Sequence, residues 1–285
     1  MKKGKVTVIT GPTASGKSAL AIEMALKRNL EIISADSRQI YKGIPISTAM
    51  PSDEELSLVR HHLIGELPLD AYYSAAMFEE QALEIARRQI EERGEVILCG
   101  GSMMYVDAFC RGIDDIPTVS EKIRRETQEE AAERGDDWAR MELLRLDPEY
   151  HSIVDLRNIK RVVHAIEIIR ESGMTFTSFR RGVKKEREFE IEMHFIDMPR
   201  DVLFERINRR VDLMVEAGLI EEAERVYPMR HLNSLNTVGL KELFAWKDGA
   251  MDLSTAIERI KKNTRVYAKK QLTWHARRMK NDFLV

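Results

Sequence analysis

Residues 6–18 of the chain read VTVITGPTASGKS, and this stretch decides the predicted fold. Its first five residues form the apolar run of a buried strand, and the apolar residues that follow Ser18 begin a helical pattern. Between them stands the spacing Gly, four residues, Gly, Lys, Ser. Because a phosphate-binding loop needs both this spacing and the order strand, loop, helix, the sequence predicts such a loop after the first strand.

The predicted loop has a defined chemistry. Glycines let successive backbone N–H groups turn toward one anion, and the helix that starts at Lys17 directs its positive end toward the same point. We expect Lys17 to contact phosphate oxygens and Ser18 to hold Mg²⁺. The alternative is a glycine turn without a ligand. The predicted phosphate-binding residues are Gly11, Pro12, Thr13, Ala14, Ser15, Gly16, Lys17 and Ser18.

Composition limits the class of protein. The chain has 285 residues, 44% of them hydrophobic and 32% charged, with a net charge of −2. These values are typical of one large or two modest globular domains. The sequence contains no apolar run of membrane-spanning length and no leader after Met1, so we expect a cytoplasmic protein. Cys99 and Cys110 are too few for a disulfide framework or a four-cysteine zinc site, which predicts reduced thiols.

The remaining patterns define the fold class. Apolar runs at 30–34, 95–99 and 191–197 predict further strands, separated by helical patterns such as that at 74–93. Residues 118–182 are dense in charge and contain no strand pattern. The predicted class is therefore α/β: a P-loop NTPase-like parallel sheet flanked by helices, with an inserted all-helical domain. We predict a core domain formed by 1–117 and 183–285 and an insertion formed by 118–182.

Two strand ends are expected beside the phosphate loop, because parallel strands place their carboxyl ends at one edge of the sheet. Asp36 follows the second strand, where it either acts on the ligand of Lys17 or caps a turn. The strand at 95–99 ends in Gly100 and Gly101 instead of a magnesium-binding Asp, which argues against ordinary ATP hydrolysis. His61 and His62 have no Cys or acidic partner at ligand spacing, so we predict no metal site there.

Basic residues concentrate in two segments. Residues 157–187 hold nine Lys or Arg against three Glu, and residues 259–280 hold nine Lys or Arg with no Asp or Glu. Such an excess suits a phosphate backbone. Aromatic residues in the second segment suit base stacking, although Trp274 is equally explained by packing on the sheet. Arg206 and Arg210, four residues apart on one helical face, indicate either a solvated face or a bound diphosphate.

Six motifs together resemble the tRNA dimethylallyltransferase family, also called tRNA isopentenyltransferases. They are GPTASGKS at 11–18, ADSRQIYKG at 35–43, GGSMMY at 100–105, RINRRVDLM at 206–214, TVGLKE at 237–242 and YAKKQLTW at 267–274. The resemblance implies transfer of a dimethylallyl group from dimethylallyl diphosphate to the N6 amine of the adenosine 3′ of the tRNA anticodon, at position 37. It also implies Mg²⁺ as cofactor. Because the chain lacks the zinc-finger tail of eukaryotic relatives, the resemblance is to the bacterial type, and no feature requires more than a monomer.

The same resemblance assigns roles to residues. Thr13, Lys17 and Arg210, with Arg206 second, would contact the diphosphate, and Asp36 would be the general base. Lys160, Arg161 and His164 stand where the family usually has Gln, Arg and Arg, and Ser102 stands where Thr is common. The residues implied to bind tRNA are Asp36, Ser37, Arg38, Gln39, Ser102, Arg124, Lys160, Arg161, Val162, Val163 and His164.

Three rival functions stay open at this stage. An adenylate isopentenyltransferase acting on free AMP or ATP shares the loop and Asp36 but has less need of two basic segments. A small-molecule kinase is opposed by the glycine-ended strand. An RNA-binding protein with a relic loop is opposed by the intact Lys17, Ser18 and Asp36. Label transfer to tRNA or to nucleotide, a kinase assay, and the Asp36→Ala variant distinguish these functions.

Overall fold

The structure is a computed structural model that describes residues 4–182 and 184–282, with side chains described up to residue 277. Five parallel strands form one sheet in the order β3-β2-β4-β1-β5. Their bounds are β1 Lys5–Thr10, β2 Ile32–Ser34, β3 His61–His62, β4 Glu95–Gly100 and β5 Glu190–Phe195. Because β4 lies between β1 and β2, the residues that follow β1 and β2 are two strand spacings apart, about 10 Å.

Thirteen α-helices occur in the described part of the chain, and all but four of them pack in the same unit as the sheet. Those of the first half are α1 Lys17–Arg28, α2 Pro45–Thr48, α3 Asp53–Leu58, α4 Ala75–Arg93, α5 Met103–Arg111 and α6 Glu121–Leu146. Those of the second half are α7 Pro148–Ile153, α8 Ile159–Ser172, α9 Phe176–Phe179, α10 Arg200–Glu216, α11 Leu219–Val226, α12 Leu240–Lys247 and α13 Leu253–Asp282.

Alternation along the strands explains why helices cover both faces of the sheet. Val6 and Val8 of β1 point into the larger core, which α4, α5, α12 and α13 complete, whereas Ile9 points into a smaller core beneath α1. β4 alternates in the same way, with Leu98 in the larger core and Ile97 in the smaller one. Strands with two buried faces require continuous apolar runs, which is why the sequence pattern predicted these strands.

The chain divides into two compact units. The first contains residues up to Arg111 and those from Glu186 onward, and the second is Gly112–Lys185. Within the described residues the second unit contains helices only, around a core that includes Leu143, Val162 and Ile166. The buried carboxylate of Asp147 accepts hydrogen bonds from the backbone N–H of Tyr150 and of Thr177, at 3.0 and 2.8 Å, and so ties two short helices together.

The segment at 41–75 contains more structure than its loop-like composition predicts. The predicted short helix is α3, and the structure adds α2 and the two-residue strand β3. Strand β3 has no apolar run because its buried side chain is His62, whose Nε2 lies 2.6 Å from Oε2 of Glu31. Glu31 is thus the partner of this buried histidine, and no cluster of three potential metal ligands is found among the described residues.

The last helix, α13, packs on the rest of the first unit through Ala256, Ile260 and Ala268. Trp274 packs against the main core, and its Nε1 donates to Oδ2 of Asp107 at 3.0 Å, which supports the packing interpretation of this residue. None of the helices within the described ranges has both the length and the apolar character needed to cross a bilayer.

Candidate active site

The predicted phosphate loop is folded as a cradle between β1 and α1. Ala14 and Gly16 adopt left-handed backbone conformations, with φ of +64° and +95°, which turn the loop around the start of α1. Lys17 Nζ donates to the carbonyl of Pro12 at 3.3 Å, so the side chain folds back over the loop. The hydroxyl of Ser15 is buried without a hydrogen-bond partner among the described residues. A buried donor without a partner in such a loop fits an absent anionic ligand.

A cavity of about 360 Å³ opens beside this loop within the first unit. Its wall combines residues from the ends of β1, β2 and β4 with residues of α10, α12 and α13. The structure therefore brings together most of the site residues predicted for the core domain. Those in the wall are Thr13, Lys17, Ser18, Asp36, Ser37, Arg38, Gln39, Ser102 and Arg210.

A second cavity, of about 300 Å³, lies against the same loop. Lys17, Arg206 and Arg210 supply three cationic side chains to its wall, and none of the described residues that line it carries a carboxylate. The helical face that carries Arg206 and Arg210 is therefore turned toward the phosphate loop. An anion bound there would offset the repulsion between these two like charges four residues apart. Lys17, Ser18, Ala49 and Arg210 line both cavities, so the two are adjoining parts of one site.

Burial changes the electrostatics of the two central cations. Desolvation lowers the pKa of Lys17 below its ordinary 10.5, and the neighbouring Asp36 opposes this shift. Desolvation also lowers the pKa of Arg210, again opposed by Asp36. Two desolvated cations beside one carboxylate are best stabilised by a further anion, because the desolvation cost is then offset by stronger attraction at low dielectric.

Asp36 caps a turn, and it also lines the cavity that Lys17 lines. Its Oδ1 accepts from the backbone N–H of Arg38 at 2.9 Å and of Gln39 at 3.4 Å. Among the described residues, Oδ2 has no hydrogen-bond donor. One carboxylate oxygen is thus fixed by the backbone while the other is available to a ligand in the cavity.

The residues after Asp36 hold the cavity wall in place. Ser102 Oγ accepts from the backbone N–H of Ser37 at 2.9 Å, which links the ends of β2 and β4. Gln39 Nε2 donates to the carbonyls of Thr48 and Ala49 at 3.2 and 3.0 Å, which fixes the end of α2. Polar side chains that the resemblance implies for tRNA contact are therefore also structural supports of this wall.

Arg38 supports the opposite wall. Its Nη1 donates to the carbonyl of Asn233 at 2.7 Å and to that of Ser234 at 3.3 Å, and its Nη2 donates to that of Asn236 at 3.4 Å. The guanidinium thereby anchors the segment that leads to Thr237 and Val238, which line the cavity.

Several lining residues were absent from the predicted site. Lys241 lies in the first turn of α12, and Tyr267 and Gln271 lie on the cavity side of α13. Burial raises the pKa of Tyr267 to about 12, so its hydroxyl stays neutral. These residues belong to the family motifs at 237–242 and 267–274, and those motifs were the one indication in the sequence that they could be functional. Nothing in the sequence places either motif beside the phosphate loop.

One part of the cavity wall is apolar. Val211 and Met214 of α10, Val238 before α12 and Ile260 of α13 line it together. The cavity therefore offers cations at the phosphate loop, a carboxylate at the end of β2 and an apolar surface, which suits a small ligand carrying both a phosphate and a hydrocarbon group.

The remaining predicted residues belong to the second unit, Gly112–Lys185. Lys160, Arg161 and His164 are exposed on α8, whereas Val162 and Val163 are buried in the core of that unit. Arg124 lies on α6, where its Nη2 is 3.5 Å from the carbonyl of Val119. Of the five predicted residues on α8, only Lys160, Arg161 and His164 therefore have side chains exposed to a partner.

A family model for IPP transferases matches residues 39–279. The chain belongs to the IPP transferase family. It is 50% identical over 270 residues to a tRNA dimethylallyltransferase of Bacteroides thetaiotaomicron, a match that covers 95% of this chain and 88% of the relative. It is 45% identical to a tRNA dimethylallyltransferase of Christiangramia forsetii, over 93% of this chain and 88% of the relative.

Solved structures of the family share the fold. A tRNA isopentenylpyrophosphate transferase from Bacillus halodurans superposes with a TM-score of 0.68 at 36% identity, covering 96% of this chain and 87% of that one. A eukaryotic dimethylallyltransferase solved acting on tRNA gives a TM-score of 0.79 at 27% identity, covering 95% and 69%. The predicted family and the predicted fold class are thereby confirmed.

Proposed function

We propose that this IPP transferase moves a dimethylallyl group from dimethylallyl diphosphate to the N6 amine of the adenosine at tRNA position 37, 3′ of the anticodon. One observation carries the proposal: Lys17, Arg210 and Asp36 line a single cavity that also has an apolar wall. A diphosphate fits the cations, a five-carbon chain fits the apolar surface, and a weakly acidic amine needs the carboxylate. The related tRNA dimethylallyltransferases support the choice of substrates.

The reaction follows from these groups. The C1–O bond of the donor breaks and the N6–C1 bond forms, while the diphosphate leaves with the electron pair of the broken bond. Lys17, Arg210 and the loop amides stabilise the negative charge that develops on the leaving diphosphate. Asp36 Oδ2 accepts the proton that N6 loses, while Oδ1 stays bound to the backbone and keeps the carboxylate oriented.

Mg²⁺ is the proposed cofactor, and the residues present fit it. Ser18 lies exposed in the first turn of α1 and lines both cavities, so its hydroxyl oxygen faces the ligand space beside the phosphate loop. A site with few protein oxygens suits Mg²⁺, which commonly takes its other ligands from substrate phosphates and water. When bound, the ion would offset negative charge on the diphosphate.

The acceptor is proposed to be held by two basic surfaces. On α13 of the first unit, Arg259, Lys262 and Arg265 outnumber the one carboxylate, Glu258, in the wall of a shallow groove of about 360 Å³. On α8 of the second unit, Lys160, Arg161 and His164 are exposed. Each surface can neutralise backbone phosphates. The adenine must leave its stack to reach the carboxylate, as occurs in enzymes that modify bases.

We further propose that one chain suffices for activity, because Lys17, Asp36 and Arg210 already meet at one cavity within a single unit of the chain. Because its proposed acceptor is tRNA, we propose the cytoplasm as its place of action.

Purified protein incubated with Mg²⁺ and labelled dimethylallyl diphosphate tests the function. Separate reactions contain unmodified tRNA, the same tRNA with guanosine at position 37, AMP or ATP, or no acceptor. We expect label only in the unmodified tRNA. Label in the free nucleotide would instead make the protein an adenylate isopentenyltransferase, and the absence of label in every acceptor would reject the proposal.

A further inference from the structure

Gln271 of α13 connects two loops at the functional edge of the sheet. Its Oε1 accepts from the backbone N–H of Thr13 at 2.9 Å, and its Nε2 donates to the carbonyl of Gly101 at 2.8 Å. The residue is only 3% exposed, and each end of its amide is used. A buried amide whose donor and acceptor are both satisfied fixes its two partners relative to each other.

The contact depends on the lack of a side chain at residue 101. A Cβ added to Gly101 would lie 2.5 Å from Nε2 of Gln271, well inside the contact distance of two such atoms. The next closest atoms, the carbonyl oxygen of Gly11 and Cε of Lys17, would lie at 3.4 Å, in ordinary contact. The absence of a side chain at Gly101 therefore leaves space for the Gln271 amide, whereas the other two neighbours would tolerate a Cβ.

The bonded amide belongs to the phosphate loop itself. Thr13 lies between the Pro12 carbonyl that Lys17 contacts and the left-handed turn at Ala14, and its hydroxyl accepts from Arg210. Because the Thr13 N–H is bonded to Gln271, α13 fixes the backbone of the loop at this residue. The same helix carries the basic groove proposed for tRNA, so one helix connects the two proposed substrate sites.

We propose that Gln271 is a positioning residue that fixes the phosphate loop for diphosphate binding by holding Thr13 N–H and Gly101 O from α13. This inference rests on the proposed function, since the ligand whose binding it governs is the diphosphate. Gln271 takes no part in bond making. Its removal should affect the donor far more than the tRNA.

Three variants test the inference. Gln271→Met keeps the size of the side chain and removes both hydrogen bonds, and Gly101→Ala displaces the amide while leaving Gln271 in the sequence. Thr273→Ala is the matched control, because Thr273 is exposed on the same helix and its hydroxyl, within the described part of the chain, bonds only the helix carbonyl of Lys269. Amide hydrogen exchange of residues 11–16 is measured without ligand, and inorganic diphosphate binding is measured by calorimetry.

We expect faster exchange of the loop and a loss of diphosphate affinity of about 10-fold or more in Gln271→Met and Gly101→Ala, because small displacements of a binding group weaken it strongly. KM for tRNA should change less than about 3-fold, and the double variant should lose no more affinity than either single variant. Thr273→Ala should match the wild type.

Gln271→Glu supplies a second signature. The carboxylate can accept from Thr13 N–H but cannot donate to Gly101 O, and it adds negative charge beside the diphosphate. Protonation restores the donor, so diphosphate binding by Gln271→Glu relative to wild type should recover as the pH falls from about 8 to about 5. Exchange of residues 11–16 without ligand, relative to the wild type, should recover over the same pH range, which relief of charge repulsion on the diphosphate alone would not produce.

Two failures can be separated. If the wild type neither binds diphosphate nor transfers label, the proposed function is wrong and the inference fails with it. If the wild type does both, while Gln271→Met and Gly101→Ala match Thr273→Ala in exchange and affinity, the inference alone is wrong.

Discussion

Arg210 donates a hydrogen bond from Nη1 to the hydroxyl of Thr13 at 3.3 Å, which joins α10 to the phosphate loop across 197 residues of sequence. Both groups line the main cavity. A guanidinium can bond the loop and still offer other N–H groups to a ligand, because it has five donors in one plane. In the proposed reaction Arg210 would therefore stabilise the leaving diphosphate while it also holds Thr13.

Arg210→Gln should lower kcat/KM for dimethylallyl diphosphate by about 10²- to 10³-fold, the usual effect of removing a donor to developing negative charge. Arg206→Gln should lower it less, since Arg206 is exposed and lines only the second cavity. Steady-state kinetics at saturating tRNA measure both effects.

Arg209→Gln is the matched control for these variants. It removes the same charge from the same turn of α10, but Arg209 is exposed and lines neither of the two cavities. Equal losses in Arg209→Gln and Arg210→Gln would show that only the overall charge of the helix matters, which would contradict the assignment of Arg210.

Asp36→Asn should separate proton acceptance from turn capping. The amide oxygen of Asn can still accept from the backbone N–H of Arg38 and of Gln39, so the turn and the fold are retained. Because the amide cannot take a proton from N6, kcat should fall by about 10²- to 10⁴-fold. tRNA affinity and the melting temperature should stay near those of the wild type.

Asp36→Ala provides the comparison. It removes both the base and the cap, so it should lose the same activity and in addition about 1 kcal/mol of stability, the typical value of a lost capping oxygen. A variant Asp36→Asn that retains most of its turnover would show that another group accepts the proton.

The alkaline pH dependence of diphosphate binding should report Lys17. The anion binds best to the protonated amine, and desolvation lowers the pKa of Lys17 below 10.5, so affinity should begin to fall at a lower pH than an exposed lysine would give. Burial raises the pKa of Cys99 to about 11 and that of Tyr267 to about 12, and both groups therefore stay neutral over this range.

Calorimetric binding of inorganic diphosphate between about pH 7 and about pH 10 measures this effect. Lys17→Arg is the comparison, because a guanidinium keeps its charge throughout the range. The alkaline decline should disappear in that variant even if its affinity is lower at every pH. An unchanged decline would assign the titration to another group.

The sequence was sufficient where the signal is local. The strand, the loop and α1 are contiguous, and Asp36 follows directly on a buried strand, so the edge of the sheet and its principal residues could be predicted. Contacts between residues far apart in the sequence could not be predicted. Gln271 meets Thr13 across 258 residues, and no local pattern indicates that α13 returns to the phosphate loop.

Arg38 shows a related gap between sequence and structure. The resemblance implies that Arg38 contacts tRNA, and the structure places it in the wall of the cavity, but its three carbonyl partners lie nearly 200 residues away in the sequence. Strand β3 was missed for a different reason. It has two residues, and its burial rests on the pairing of His62 with Glu31 and not on an apolar run.

Variants of α8 should separate tRNA binding from the stability of the second unit. Arg161 is exposed and Val162 is fully buried, although the two residues are adjacent. Arg161→Ala should weaken tRNA binding and reduce the slope of log affinity against log salt by about 1, the change expected for one lost phosphate contact. Its melting temperature should stay near that of the wild type.

Val162→Ala should do the opposite. The cavity that this substitution leaves in the core should lower the free energy of unfolding by about 1–3 kcal/mol. tRNA binding by the folded variant should keep the salt dependence of the wild type, because the valine side chain cannot reach a phosphate. Arg145→Ala is the charge control, since Arg145 lies on α6 of the same unit and pairs with Glu142 at 2.8 Å. A reduced salt slope in Arg145→Ala as large as that in Arg161→Ala would show that the general charge of the unit, and not α8, binds the tRNA backbone.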